Sequence, residues 1–376
     1  MFKRNIYIIL ITYFHSDKLK HKMTLFVNLK KVLILFIILF SSFILVSCTK
    51  KRVIDFSDNT QMKYNINYSQ NYDTLFLKEV KYILHNPYKN AGNLNLKGAM
   101  HVHSENSSLI DGYWSSRDPK WVAEKMRDEG GYDFYTITDH NYITSDPKVS
   151  DIVWMGRSVE DTKTDQHIIA YNLPFDKYFN AGEDMSNILD YYKDIGAYTS
   201  LAHPNWSPVY ISDDAIRAIS KLTFMEVVNV DDKGHRALDI LTSKKLMTFG
   251  FGVDDFHYST SWSDPNMLFN KGWVVAFAEE KDKESIWKSL LHGAFYVTTG
   301  PQINIKFENG VFGVSTTKMS KITFIGYSKN GVKVTKYSNN VLEDSYNWSD
   351  DLVWLRAEIL NSNGIAFTQS IQLVQY

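Results

Sequence analysis

The chain has 376 residues, and its 41 lysines and arginines against 42 aspartates and glutamates give a formal net charge of −1. This length is enough for two or three compact units, and the balanced charge excludes a global attraction to nucleic acid or anionic membranes. The single cysteine, Cys48, excludes an intramolecular disulfide and a metal site made of cysteines alone.

The first recognisable segment indicates export from the cytoplasm. Lys30 and Lys31 precede the apolar run "VLILFIILFSSFILV", and the segment ends in "LVSC" at Cys48. A basic start, a short apolar core and small residues are typical of a secretory signal. The ending resembles a bacterial lipobox, which implies cleavage before Cys48 and lipidation of its thiol. A retained signal anchor is the alternative, although the run is shorter than the roughly 20 residues of a membrane span.

These features define the N-terminal organisation. We expect a signal peptide over residues 1–47, with Met23 as an alternative start, and a lipidated N-terminus and tether over residues 48–94. The mature protein is then a lipoprotein of the bacterial cell envelope. A lipid anchor holds it to the membrane, and its folded part faces the periplasm or the exterior.

Residues 95–299 alternate between strand-like and helical segments. "LNLKGAMHVHS" is typical of a strand, and "DPKWVAEKMRDEGG" predicts a helix with Asp118 as N-cap and Pro119 in its first position. Later strand-like runs such as "YDFYTITDH", "AYTSLAHP" and "TFMEVVN" are separated by further helical segments, among them "SDDAIRAISKL", opened by Ser212 or Asp213. This alternation predicts an α/β domain built on a parallel sheet, open or closed.

Residues 300–376 carry a different pattern. Period-two runs are joined by three Asn-Gly dipeptides, Asn309-Gly310, Asn330-Gly331 and Asn363-Gly364. Asn-Gly between alternating apolar runs is a strong hairpin signal. This segment therefore predicts a small antiparallel β-domain, and it contains no candidate functional site.

Histidine and carboxylate side chains stand at the ends of the predicted strands. His101 and His103 share one face of a strand, because residues i and i+2 point to the same side. The other strand ends carry Asp139, His140, Glu160, His203, Asp255 and His257. In a parallel β/α architecture these ends lie at one mouth. Histidine and carboxylate ligands without thiolates suit a hard or borderline metal, and burying them together without a cation would be costly.

The ordered motifs "HVHS", Asp111-Gly112, "TDH", Glu160, "AHP" and "DFH" resemble the polymerase-and-histidinol-phosphatase (PHP) family of metallohydrolases over residues 95–299. The resemblance implies a distorted seven-stranded (β/α) TIM-like barrel with two or three divalent ions (Zn, Mn or Fe). It also implies hydrolytic, mostly phosphoester, chemistry. The segment "LLHGAFYVTTGP" resembles the start of the C-terminal β-extension of secreted PHP-like proteins.

Carried over motif by motif, the resemblance assigns roles to individual residues. The metal ligands are His101, His103, Asp111, His140, Glu160, His203, Asp255 and His257. Glu160 is the bridging carboxylate, and Asp111 lies two residues further from His103 than in the family motif. The catalytic candidates are Asp139, His140 and Glu160, with Asp139 either orienting a histidine or moving a proton. Glu226 is a candidate for supporting a ligand, and His167 and His235 are not expected to be ligands.

The substrate-binding candidates are Asn205, Arg117 and His167. Asn205 and Trp206 follow "AHP", where phosphoesterases of this family often carry a basic residue. Arg117 and Arg157 could replace that residue or could be ordinary surface arginines. Four aromatic residues adjoin the motifs and predict either a stacking wall for a ring or ordinary packing: Tyr113, Trp114, Trp154 and Trp206.

The sequence therefore predicts a metal-dependent phosphoesterase that hydrolyses a small phosphorylated molecule with metal-activated water. Nucleic acid is expected only as a nucleotide or short oligonucleotide substrate. One alternative is a hydrolase of a non-phosphate ester, carbamate or amide, which the absent basic residue favours modestly. The other is a non-catalytic binding lipoprotein, which the complete ligand set disfavours.

Overall fold

The computed structural model describes residues 67–107, 115–180, 182–206, 210–230 and 232–375, and all of them fall within one unit, Ile54–Tyr376. The expected signal peptide, Cys48, the candidate ligand Asp111 and the neighbouring Tyr113 and Trp114 lie outside the described residues. No helix in the described ranges is both long and apolar enough to cross a bilayer.

The described residues form nineteen strands, five α-helices and a short 3-10 helix, Tyr68–Asn71. The strands are β1 Tyr72–Leu77, β2 Val80–His85, β3 Leu94–Ala99, β4 Phe134–Tyr135, β5 Val153–Trp154, β6 Val159–Asp161, β7 Ile168–Tyr171, β8 Tyr198–Leu201, β9 Phe224–Asn229, β10 Asp232–Lys233, β11 Phe249–Val253, β12 Trp273–Ala278, β13 Phe295–Thr298, β14 Ile303–Glu308, β15 Val311–Ser328, β16 Lys333–Asn347, β17 Leu352–Asn361, β18 Gly364–Thr368 and β19 Ile371–Gln375. The α-helices are α1 Pro119–Asp128, α2 Met185–Asp194, α3 Asp213–Ala218, α4 Arg236–Ser243 and α5 Lys283–His292.

The local signals for helices and hairpins are confirmed. Asp118 caps α1, since its side chain accepts hydrogen bonds from the backbone N–H groups of Lys120 and Trp121, and Ser212 caps α3 in the same way. Each Asn-Gly dipeptide lies at a hairpin of the C-terminal strands. At the first of these turns both residues, Asn309 and Gly310, have positive φ, as a two-residue primed turn requires.

The strands divide between two sheets. The larger has thirteen strands in the order β1-β2-β19-β17-β18-β13-β12-β3-β4-β5, with β14, β15 and β16 attached beside β17. The smaller has six strands in the order β10-β9-β8-β7-β6, and β11 pairs with β9. Only β3-β4-β5 and β8-β9-β11 are parallel runs, so both sheets are mixed.

The expected distorted seven-stranded TIM-like barrel is therefore wrong: the described strands form two mixed sheets and do not close into a barrel. One reason is that β6 and β7 are joined by a short loop, 162–167, and pair antiparallel, which leaves no room for a crossover helix. Another is that β12 runs antiparallel to β3. Two single parallel bridges, Val102–Phe256 and His140–Glu160, link the sheets in place of continuous ladders.

The main core is formed by side chains from both sheets and from helices α2 to α5. Aromatic rings dominate it, with Phe224 and Phe251 stacked at 4.0 Å between ring centroids and Tyr171 edge-on to both. All three are fully buried. Since burying one such side chain contributes about 1.5–3 kcal/mol, this core fixes the strands whose ends carry the motif residues. The domain boundaries expected at residues 94 and 299 stay predictions.

One core histidine, His85, lies apart from the motif residues. Its ring is fully buried among Tyr68 and Phe249, at centroid distances of 5.4 and 6.0 Å. Neither of its ring nitrogens has a hydrogen-bond partner among the described residues. Burial, followed by the charge of His292, lowers the pKa of His85 to about 3. The folded protein therefore keeps this ring neutral in mildly acidic solution.

We predict that His85 makes the protein less stable below about pH 6.5. The unfolded chain takes up a proton at His85 near its ordinary pKa of about 6.5, whereas the folded chain does so only near pH 3. The linked loss of stability is near zero above pH 6.5 and reaches about 1.4 kcal/mol at pH 5.5. The test is the free energy of unfolding, measured with urea at pH 7.5 and at pH 5.5. Its fall between these two pH values should be smaller in His85→Phe than in the wild type, by about 1.4 kcal/mol. Tyr72→Phe should keep the wild-type difference, and an equal pH dependence for His85→Phe would contradict the prediction.

Candidate metal centre

Eight motif side chains converge on one buried point, and Glu160 lies at its centre. Its Oε2 lies 3.0 Å from His101 Nε2, 3.3 Å from His103 Nε2 and 2.8 Å from His140 Nε2. Its Oε1 lies 2.8 Å from His167 Nδ1 and 3.2 Å from His203 Nε2. The remaining members are Asp255 and His257. All predicted ligands in the described ranges are thus in the cluster, and so is His167, which was expected to contact substrate instead.

The two single bridges explain how these residues meet. Val102 and Phe256, which form one bridge, are fully buried in a small core. His101 and His103 flank Val102 in the chain, and Asp255 and His257 flank Phe256. All four of these residues lie in the cluster. The second bridge joins His140 directly to Glu160. The two bridges between the sheets therefore position the site.

The local conformation at Asp255 differs from the expected one. The prediction assumed an extended strand through Asp255 and His257, but β11 ends at Val253 and Asp255 adopts a left-handed φ of 48°. Even so, Asp255 Oδ1 lies 3.1 Å from His101 Nε2 and 3.0 Å from His103 Nε2. The neighbouring Asp254 faces away and accepts hydrogen bonds from Tyr132 Oη and the backbone N–H of Asn270. The turn therefore places Asp255, the aspartate expected to be the ligand, in the cluster and leaves Asp254 outside it.

Hydrogen bonds behind two histidines fix where their lone pairs point. His101 Nδ1 lies 2.7 Å from Glu226 Oε1, and since a carboxylate can only accept, Nδ1 carries the proton. Glu226 Oε2 also accepts a hydrogen bond from the backbone N–H of His203, so Glu226 contacts two cluster histidines, as expected of a supporting residue. The other ring nitrogen of His101, Nε2, then faces Glu160 and Asp255. Holding a ring by its outer nitrogen is the usual way proteins orient a metal-binding histidine.

Asp139 supports the cluster from a second direction. Its two carboxylate oxygens accept hydrogen bonds from Ser104, through both the backbone N–H and the hydroxyl, and from the hydroxyls of Ser107 and Thr144. Ser107 Oγ in turn lies 2.9 Å from His103 Nδ1 and accepts from the backbone N–H of His140. Of its two expected roles, this arrangement favours orienting a histidine over moving a proton.

The charges of the cluster shift its pKa values strongly. Burial disfavours charge on His101, but Asp255, Glu160 and Glu226 outweigh it and raise the pKa of His101 well above its ordinary value. Burial likewise opposes ionisation of Glu160, yet the surrounding histidines, His101 first, hold its pKa well below the ordinary value. The Glu160 carboxylate therefore stays ionised and needs compensating positive charge. Protons on the imidazoles or a metal cation can supply that charge.

The residues fit a divalent metal ion. His101, His103, Glu160 and Asp255 each offer one ligand atom, and these four atoms lie within 4.8 Å of one another. Two further groups overlap this one: His103, His140 and His257, and His140, Glu160 and His167. The Nε2 of His103 and the Oδ1 of Asp255 are buried and have no well-formed hydrogen bond among the described residues, although they lie 3.0 Å apart. Two acceptors face each other there, which is stable only with a cation or a proton between them.

The spacing of these atoms agrees with metal coordination. Ligand bonds of about 2.0–2.1 Å in a tetrahedral site place neighbouring donors about 3.3 Å apart. The four measured separations between the imidazole nitrogens and carboxylate oxygens of the first group run from 3.0 to 3.3 Å. The cluster could therefore bind divalent metal with little movement of the chain.

The other predicted substrate residues lie around the cluster rather than in it. Arg117 stacks against the rings of Trp121 and Tyr258, at 4.9 and 4.8 Å. Asn205 Oδ1 accepts a hydrogen bond from Arg236 Nε at 3.4 Å. Among the described residues, no lysine or arginine forms an ion pair with Glu160, Asp255 or Glu226, so the compensating charge comes from protonated imidazoles or from a metal ion.

Comparison with known proteins gives little further information. No family model matches the chain, and no curated protein matches it either. The chain is similar to a solved structure from Bacteroides vulgatus ATCC 8482, a two-domain protein containing a predicted PHP-like metal-dependent phosphoesterase. The two are 15% identical with a TM-score of 0.42, and the similarity covers 74% of this chain and 95% of that chain.

We predict that the two adjacent aspartates differ sharply in their effect on metal binding. Asp255→Asn removes a charged oxygen from the four-atom group. The fraction of chains that hold a metal ion should therefore fall at least about tenfold when the metal concentration is limiting. Asp254→Asn should keep the metal, because Asp254 contacts Tyr132 and Asn270 instead. Elemental analysis of both variants after equal metal loading measures this. Metal loss in Asp254→Asn together with retention in Asp255→Asn would show that the ligand assignment is wrong.

Proposed function

We propose that the chain is a metal-dependent hydrolase of the PHP type, acting as a phosphoesterase on a small phosphorylated molecule. The observation that carries this proposal is the convergence of imidazole and carboxylate acceptors from His101, His103, Glu160 and Asp255 on one buried point. The ordered motifs of the sequence support it, since the same residues define the resemblance to that family.

The three overlapping groups of side chains would hold two or three ions, with Zn, Mn and Fe as candidates for this ligand set. When bound, divalent ions supply electrophilic activation of a phosphoryl oxygen and of water. Glu160 presents one oxygen to His101, His103 and His140 and the other to His167 and His203, so it suits the bridging position.

The surrounding residues orient this centre and leave one side accessible. Glu226 contacts Nδ1 of His101, and Ser107 contacts Nδ1 of His103. These contacts direct the Nε2 atom of each ring at Glu160. His140 and His167 are the more open histidines, with 14% and 18% of their side chains exposed. A substrate entering from solvent meets these two first. Burial, ahead of its neighbours' charges, lowers the pKa of His140, so this ring is neutral at pH 7 and its Nε2 can bind a metal ion.

One observation favours a second candidate, hydrolysis of a non-phosphate ester, carbamate or amide. Phosphate recognition usually employs arginine, yet two arginines near the motifs, Arg117 and Arg236, are engaged with other groups in the described structure. Arg117 stacks on aromatic rings, and Arg236 contacts Asp213 and the carbonyl of Ile211. A phosphate would therefore receive no charge recognition from Arg117 or Arg236 in this arrangement.

We predict metal-dependent turnover of an aryl phosphate. The full chain, purified in detergent and loaded separately with Zn, Mn and Fe, should bind at least one ion per chain and hydrolyse 4-nitrophenyl phosphate or its bis ester. Chelation should abolish turnover and lower the melting temperature, because a ligand bound only to the folded state stabilises it. Turnover of 4-nitrophenyl acetate alone would favour the second candidate. Less than one ion per chain after loading would overturn both.

We also propose that the protein is a cell-envelope lipoprotein anchored through Cys48. The basic residues, the short apolar run and "LVSC" support this proposal. Cys48→Ala should move the chain out of the lipid-modified membrane fraction, either as a soluble form or as an uncleaved precursor. Fractionation with metabolic lipid labelling measures this. Wild-type protein that is soluble and carries no label would contradict the proposal.

A further inference from the structure

Trp206 lies at the open edge of the candidate metal centre. Trp206 is 48% exposed, and its ring forms a T-shaped pair with the His203 ring, at 5.2 Å between centroids and an interplanar angle of 74°. Edge contacts continue from His203 to His167 at 4.9 Å and from His167 to His140 at 5.8 Å. The exposed indole is therefore the outer end of a row of rings that begins with the accessible histidines.

The backbone around Trp206 is held on both sides. The N–H of Trp206 donates to the carbonyl of His203, and the N–H of Ile211 donates to the carbonyl of Pro204. Arg236 ties the same segment down through Asn205 Oδ1 and the carbonyl of Ile211. A ring fixed by its backbone loses little further entropy when a ligand packs on it, which favours a binding role.

The edge beside Trp206 offers aromatic surface rather than free charge. The guanidinium of Arg236 stacks on the Tyr210 ring at 4.5 Å and also contacts Asp213. Tyr210 itself is 54% exposed, so Arg236 contacts one solvent-facing ring, Tyr210, and also Asn205, the residue before the second such ring, Trp206. A single exposed aromatic residue needs no explanation, but two on an anchored segment next to a buried ligand cluster are a candidate contact surface.

From this arrangement we propose that Trp206 is a specificity-determining residue that stacks on a planar, uncharged ring of the substrate, an aryl group or a nucleobase, next to the scissile ester. The inference rests on the proposed function, because the metal centre holds the ester and Trp206 holds the adjoining ring. Ring stacking on a fixed aromatic side chain contributes about a tenfold gain in affinity. Small alkyl esters would lack this contact.

The test compares two ligands that differ only in the ring. Phenylphosphonate and methylphosphonate carry the same charged group, and neither contains a hydrolysable ester. Calorimetric titration of the full chain loaded with Mn²⁺ should show phenylphosphonate binding about tenfold more tightly. Trp206→Ala should reduce this ratio to about twofold or less, and Trp206→Phe should restore most of it. Metal content, measured on each variant, should not change.

The control variant removes an equally exposed ring elsewhere. Phe179 is 61% exposed and packs on Tyr191 of α2, and Phe179→Ala should keep the wild-type ratio. Equal affinities in the wild type, an unchanged ratio in Trp206→Ala, or no binding of either compound would each overturn the inference. Two outcomes separate this inference from the proposed function. Turnover without a preference for the ring would refute only the role of Trp206, and a preference for the ring without turnover would refute only the hydrolase activity.

Discussion

The site depends on one buried carboxylate. Glu160 has no exposed surface, and its two oxygens lie within 3.3 Å of nitrogens from five histidines. Because Glu226 and Ser107 hold the outer nitrogens of His101 and His103, both inner nitrogens present lone pairs to the carboxylates. A cation resolves this convergence, and without one the imidazoles must take up protons, as the raised pKa values of His101 and His103 indicate. Ion binding and the stability of this region are therefore linked.

The strands around Glu160 show why the architecture was harder to predict than its parts. Helix caps such as Asp118 and turns such as Asn309-Gly310 act over a few residues, and the sequence predicted them correctly. Strand partners are distant in sequence, and a short apolar run looks the same whether its neighbour is parallel or antiparallel. The loop 162–167 makes β6 and β7 antiparallel, and β12 lies antiparallel to β3. These two pairings turn the expected barrel into two mixed sheets.

The site was more predictable than the fold, because the spacing of its residues survives the change in architecture. His101 and His103 keep their shared face, and the bridge between Val102 and Phe256 brings Asp255 opposite them. Two features could not be read from spacing. The left-handed turn at Asp255 depends on its packing, and His167 reaches Glu160 only because the hairpin after β6 folds back. An acidic residue followed by a short loop and a histidine was the available signal for that hairpin contact.

The same geometry divides the centre into a closed side and an open side. His101 is sealed by Glu226, which also binds the backbone of His203 and the amide of Asn229, so no substrate can approach from that direction. His140 and His167 keep part of their surface exposed, and His203 continues the row toward Trp206. Charge recognition is thus concentrated in the buried cluster, whereas the accessible edge is aromatic. A substrate matched to this division would carry its negative or polarised group inward and an uncharged ring outward.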